Sequence, residues 1–389
     1  MGRTTDPVLR DPSPDEQTLT AGDERERRSL IAPGLPRDRW CAEALAEAVS
    51  IPDLGRDIPA TIDWCVRVGR EAPAAGDGRT TELWDLLAAT AARDVAAARV
   101  LEPHLDALSI LRQAGTDLAS GADPWRVRDI GVDESSSWGV FAAEGSGMRV
   151  DAAEGSGMRV DAGETSSGWR LTGTKPWCSL AAHLSHALVT AFVGEERRLF
   201  AVALREPEVH PHEGPWVARG LPDIVSAPVD FDGARAVPVG AAGWYLSRPG
   251  FAWGGMSVAA CWWGGARGIA DAVRAAASSE RADQIALVHL GRADAALWGA
   301  RAALREAAAL IDGGSVPDPR LLAERVRTTV VGAATTVLAE ADSALGPGPL
   351  VSDAAYARRV ADLHLYLRQH HGLRDAARLG RLAIEGERD

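Results

Sequence analysis

Gly168-Trp-Arg-Leu-Thr-Gly-Thr-Lys-Pro-Trp-Cys-Ser179 is the stretch whose reading decides the fold of this chain. Its β-prone residues predict a short strand over 169–171, a turn at 172–174, and a second strand that Pro176 holds off the ladder. Lys175 is the only lysine among 42 Lys and Arg residues, and it precedes an exposed-looking Trp177-Cys178-Ser179 step. Taken alone, Lys175 reads as an incidental residue of a hairpin.

The surrounding composition narrows the class. A chain of 389 residues can bury a large core and divides into two or three folding units. Hydrophobic residues at 46% and charged residues at 25% are ordinary for a globular protein. The net charge of −12, with no basic stripe, argues against a nucleic-acid partner. No apolar run reaches the ~18 residues of a membrane span, and the N-terminus lacks a signal-peptide core, so a cytoplasmic protein off the membrane is expected. Cys41, Cys65, Cys178 and Cys261 lack paired spacing, so neither a metal site nor a disulfide framework is expected. Thirteen tryptophans, among them Trp177, Trp253, Trp262 and Trp263, serve either as core or as the wall of a flat cofactor.

Periodicity divides the chain into an α+β multidomain protein. Residues 1–36 are rich in Asp, Glu, Arg, Pro and Thr and predict a disordered arm. Residues 37–130 predict an N-terminal helical domain, with Leu83, Leu86, Leu87, Val95, Val100 and Leu101 at helical spacing. Residues 131–240 hold short β-prone runs separated by turns, including a hairpin around Gly194-Glu195-Glu196, and predict a middle β-barrel or sandwich domain. Residues 241–389 predict a C-terminal four-helix bundle with segments at 248–279, 283–312, 318–345 and 353–385. Gly264, Gly265 and Gly268 predict close helix packing in the first of these. Residues 142–151 and 152–161 are identical, a tandem ten-residue duplication too short in copy number for a solenoid.

The 168–179 stretch resembles the "W-x-L-x-G-x-K-x-W-I-T" hairpin of the acyl-CoA dehydrogenase superfamily, and the order helical, β, helical bundle is similar to that family's over about residues 40–385. Gln284–Asp312 is similar to a bundle helix of the family. The resemblance implies FAD, with Trp177, Cys178 and Ser179 against the flavin ring. It implies that Phe141, Ala143 and Glu144, at the place of the "T-E-P-x-x-G-S-D" segment, lie at the pyrimidine edge. The first copy of the repeat then holds that position and the second lengthens a surface loop. An acyl-CoA or related small molecule is the implied substrate, and a homodimer or homotetramer, with or without a paralogous subunit, the implied assembly.

The chain departs from the family at the base. Counting from Asp362 in "R-D-x(7)-E-G-T", the Glu position falls on His370, and residues 257–261 on the first bundle helix hold no acid. The pyrophosphate clamp "R-x-F-G" is not recognisable in Ser279-Glu-Arg-Ala-Asp-Gln284, and "G-G-x-G" has become Gly346-Pro-Gly-Pro349. His370 is the catalytic candidate, a base near pH 7, against a reading of His370 and His371 as a solvated helix face. Three functions stay open: an FAD-dependent acyl-CoA dehydrogenase acting on CH–CH groups, a flavin monooxygenase using His370, and a non-catalytic subunit.

Overall fold

Asp57, Asp94, Asp283, Asp318 and Asp353 punctuate the helices of this chain, each accepting a backbone N–H from the first turn that follows it. The computed structural model describes residues 39–116, 124–143 and 158–386; the expected arm, Glu144 and most of the repeat lie outside them. Four helices open the described chain: α1 (Arg39–Ser50), α2 (Ile58–Gly69), α3 (Thr80–Arg93) and α4 (Val95–Thr116). The apolar positions at helical spacing, Leu83, Leu86, Leu87, Val95, Val100 and Leu101, are all buried. Pro103 lies inside α4, where its missing N–H leaves the Arg99 carbonyl without a helical donor.

Seven strands follow: β1 (Trp138–Phe141), β2 (Val160–Thr165), β3 (Gly168–Ser179), β4 (His186–Val193), β5 (Glu196–Ala203), β6 (Val209–Pro211) and β7 (Ser226–Val239). Their pairings β4–β2, β2–β3, β3–β7, β7–β5 and β5–β4 close into a ring, with β1 parallel on β4 and β6 antiparallel on β7. Alternation fills both faces. Leu188, Leu199, Ala201, Val237 and Val239 cluster with Ala107, Ile110 and Ala114 of α4, while Ala187, Val189, Phe200 and Val202 join the main core.

The expected turn at 172–174 is absent. β3 runs unbroken: the irregularity there is an extra residue in β7, Gly233, between the Leu171–Ala234 and Thr172–Asp232 pairs, and Gly173 stays paired while taking φ +121° against the Arg159 carbonyl. Lys175 is not incidental either. It is 1% exposed, and its ammonium donates to the Thr190 carbonyl at 2.9 Å and to its Oγ1 at 2.8 Å, tying β3 to β4, which are not ladder neighbours.

The C-terminal half holds α5 (Pro249–Ala277), α6 (Gln284–Asp312), α7 (Pro319–Leu345), α8 (Ala354–Tyr366) and α9 (Leu373–Glu385). The single helix expected over 353–385 is broken at 370–372. Gly372 has φ +57°, and the Asp375 carboxylate accepts the His371 N–H that a continuous helix would use. Gly264 and Gly268 pack α5 onto α3: a Cβ at either would stand 2.1 Å from the Ala88 carbonyl oxygen or 2.4 Å from that of Ala92. The end of α6 meets the start of α3 through Asp312, which accepts from the Thr80 N–H and hydroxyl. All four cysteines are buried and free, and no helix among the described residues is long and apolar enough to cross a membrane.

Candidate functional site

At the end of β3 the ladder to β7 slips. Lys175 pairs with Val229 and Cys178 with Ala227, so between these pairs two residues of β3, Pro176 and Trp177, oppose one of β7, Pro228. Trp177 takes up the slack with φ +59°, a left-handed backbone that is rare for a bulky residue and costs about 1–3 kcal/mol. The bulge turns its indole outward, and Trp177 stays 47% exposed. Cys178 points the other way: it is buried, its thiol lies 3.3 Å from the Lys175 carbonyl, and burial pushes the thiol well up despite Lys175. It is an inert packing residue.

Ser179 is held in a directed chain of hydrogen bonds. Ser226 gives its one hydroxyl proton to the Ile224 carbonyl at 3.1 Å, so Ser179 donates to Ser226 across 2.7 Å and accepts from the Arg99 guanidinium at 2.9 Å. Around this edge runs a cleft of about 200 Å³, lined by Cys178, Leu180, His183, His212, Val225 and Ala227. That is smaller than the usual ligand pocket of roughly 300–1,000 Å³. It has room for part of a flat ligand.

Phe141 is a core side chain beside Gly139, whose Cβ position would lie within 2.8 Å of its ring. Ala143 is exposed, and Glu144 lies outside the described residues.

His370 sits in the break between α8 and α9, on neither helix. It is 9% exposed, so the solvated-face alternative does not hold for it, although it does for His371. Its ring stands edge-on to Trp262 at 6.4 Å. Gly372 N–H donates to Nδ1 at 3.1 Å, which places the proton of the neutral ring on Nε2. Nε2 has no hydrogen-bond partner; the nearest carboxylate oxygen, on Asp375, is 3.8 Å away. Burial lowers the His370 pKa, with Asp375 opposing and Arg327 reinforcing, so the ring is neutral at pH 7. Asp362 is structural: it is buried, takes the Leu221 N–H, and pairs with Arg358 at 3.3 Å.

His370 does not touch the Trp177–Ser179 edge; they are joined through intervening side chains. Arg99, bound to Ser179, lies 5.7 Å from the Tyr366 ring centre, Tyr366 stands edge-on to Trp262 at 6.3 Å, and Trp262 meets His370. Between them lies Glu102, which the sequence reading passed over. It is buried on α4 one turn beyond Arg99, and its pKa is pushed up to about 8 by burial and then by Asp106, with Arg99 and Arg327 opposing. The signal was available. Arg99, Glu102 and Asp106 recur at three- and four-residue spacing on a helix whose neighbours are apolar, where a charge is rarely buried without purpose.

No protein-family model and no curated protein matches the sequence. Solved structures do match in fold. The chain is similar to the dibenzothiophene monooxygenase TdsC from Paenibacillus sp. A11-2 at 16% identity and TM-score 0.67, covering 89% of this chain and 96% of that one. It is similar to KijD3 in complex with FMN and a dTDP-amino-ketosugar at 17% identity and TM-score 0.69, covering 91% and 95%. It is similar also to butyryl-CoA dehydrogenase from Megasphaera elsdenii at 14% identity and TM-score 0.69, covering 89% and 98%.

Proposed function

Given that the chain has the acyl-CoA dehydrogenase fold, we propose that it is a flavin-dependent oxidoreductase acting on a small molecule. The observation that carries this reading is Trp177. A large indole held outward by a strained backbone serves no core, and beside the Ser179 edge it forms a platform for a flat ring. The residues fit the ring half of a flavin. They do not supply a recognisable pyrophosphate clamp, because Ser279–Gln284 is a largely exposed turn whose one cation is Arg281. FAD is the cofactor the resemblance implies, and FMN the one the residues answer more completely.

A bound flavin would supply hydride acceptance or oxygen activation; the chain's own part is to place substrate and hold protons. Thioester dehydrogenation needs a base for the α-proton. His370 has its free nitrogen protonated, and burial together with the neighbouring Asp106 pushes the Glu102 pKa up, toward the protonated carboxyl. Both are donors at rest, which favours the monooxygenase reading over acyl-CoA dehydrogenation.

The test is reconstitution of the purified chain with FMN or FAD, followed by butyryl-CoA without oxygen. The expected result is one flavin per chain that butyryl-CoA fails to bleach, and that consumes oxygen once reduced. Bleaching by butyryl-CoA would restore the dehydrogenase reading. A chain that takes up neither flavin would be a non-catalytic subunit.

A further inference from the structure

The cleft at the end of β3 has apolar walls and a polar rim. Leu180, Val225 and Ala227 wall it, and His183, His212 and Glu213 stand at the exposed rim. Its volume of about 200 Å³ exceeds the roughly 150 Å³ that holds one benzene ring, so a single ring with a small substituent fills it. Among the described residues, only one of the three rim side chains is held by a partner. His212 Nε2 stands 2.7 Å from Asp230 Oδ2, and the Thr174 hydroxyl donates to Asp230 Oδ1 at 2.5 Å. Partial burial works to raise the Asp230 carboxyl, yet the bonds from Thr174 and His212, with His210 nearby, hold it below its ordinary value. An ionised carboxylate only accepts, so Nε2 of the neutral ring carries the proton and Nδ1 is left as an acceptor. The two side chains are 42% and 43% exposed, and a pair so exposed adds little to the fold. What it does is fix the tautomer.

The ladder sets where this acceptor stands. Pro228 of β7 faces the Trp177 bulge on one side, and on the other its carbonyl accepts the His212 N–H at 2.9 Å. With strands ~4.8 Å apart, His212 lies about 10 Å from Trp177 across β7. Thr174 and Asp230 alternate with the buried Lys175 and Val229, which puts the His212 pair on the outward side of the sheet, the side Trp177 is turned to. We propose that His212 is the specificity-determining residue of this cleft, and that the cleft takes a one-ring molecule through an O–H or N–H donor aimed at Nδ1. Asp230 and Thr174 position it. The assignment of that molecule as the substrate rests on the flavoenzyme reading, in which the flavin ring lies on Trp177 across β7. A ligand that offers only acceptors meets a lone pair on His212 and a carboxylate on Glu213, and gains nothing there.

The experiment is ligand-observed NMR titration of the full chain with phenol and with toluene, which match in shape and differ in the donor. It is run near pH 8.5, above the ordinary imidazole range of about 6.5. The quantity read is the ratio of phenol to toluene affinity, in which the different water solubility of the two cancels between variants. His212→Phe keeps a ring and removes the acceptor, and the ratio should fall about 3- to 10-fold, the worth of one hydrogen bond. Asp230→Asn, whose amide can turn its N–H to Nε2 and release the proton to Nδ1, should lower the ratio while toluene binds as in the parent. An unchanged ratio in His212→Phe overturns the proposal, and an unchanged ratio in Asp230→Asn removes the carboxylate from it. Ala182→Trp, at the exposed edge of the cleft, should abolish binding of both ligands; binding as before would place them elsewhere and overturn the proposal too. Adding FMN separates the two readings. Phenol retained beside bound FMN is the expected result, and FMN that displaces phenol makes the cleft part of the flavin's seat and overturns the substrate assignment. A chain that binds phenol through His212 but takes up no flavin leaves the cleft standing without the flavoenzyme.

Discussion

At the scale of single residues, the position most misjudged from sequence is Lys175. A lone lysine on a strand gives no sign of burial, because burial here depends on β4 arriving opposite it from fifteen residues away. The choice of Lys over Arg follows from shape: a compact ammonium on a thin stem reaches one residue's carbonyl and hydroxyl together, where a planar guanidinium would crowd the barrel. Lys175→Ala is expected to cost about 2 kcal/mol or more in urea unfolding, since hydrogen bonds to a buried charge are worth roughly 1.5–3 kcal/mol. His104 makes a second residue-scale prediction. It is buried, its Nδ1 accepts the Trp138 N–H at 3.3 Å, and burial lowers its pKa to about 4. Its contribution is therefore complete above the unfolded value near 6.5 and is lost as pH falls toward 4, about 3 kcal/mol in all. His104→Asn keeps an acceptor for Trp138, and its unfolding free energy should be flatter than the parent's across that window. Parallel pH profiles would show that another group carries the acid sensitivity.

At the scale of elements, helices with strong apolar periodicity and Asp caps were legible, and so was the β4–β5 hairpin, whose Gly194 turn lies between two β-prone runs. The breaks were not. Gly173 reads as a turn in sequence, yet the long partner β7 carries β3 straight through it, and the glycine serves the close approach of the Arg159 carbonyl instead. The α8–α9 break was invisible because Asp375, which caps it, reads as an ordinary charge on an Arg-rich helix. Gly173→Ala should destabilise by more than ~2 kcal/mol, as a Cβ there would meet the Arg159 oxygen at 2.1 Å from a left-handed backbone; a smaller change in thermal unfolding would mean that β2 yields. Excising residues 152–161 should be nearly neutral, within roughly 0.6 kcal/mol. Val150-Asp151 then supply the same residues that begin β2, and loop length enters closure entropy only weakly. Loss of folding after the excision would place the duplicated stretch inside the packing.

At the scale of the whole molecule, α6 leaves Ile285, Leu287, Val288 and Trp298 exposed, more apolar surface than one helix of a monomer usually shows. A dimer or tetramer through the C-terminal helices is expected by light scattering at micromolar concentration, and Trp298→Glu should weaken it. The family resemblance made the overall architecture legible from twelve residues and an order of elements; the cluster of Arg99, Tyr366, Trp262 and His370 escaped because its parts come from three helices and a helix break far apart in sequence. The central claim is that a flavin ring lies against Trp177. Its most direct measurement is a fluorescence titration of oxidised FMN and FAD into the parent, Trp177→Ala and Trp298→Ala. Stacking and apolar burial of an indole are worth about 1–3 kcal/mol, so Trp177→Ala should bind the preferred flavin roughly 5- to 150-fold more weakly while Trp298→Ala matches the parent. Equal affinity in the parent and Trp177→Ala would contradict the account.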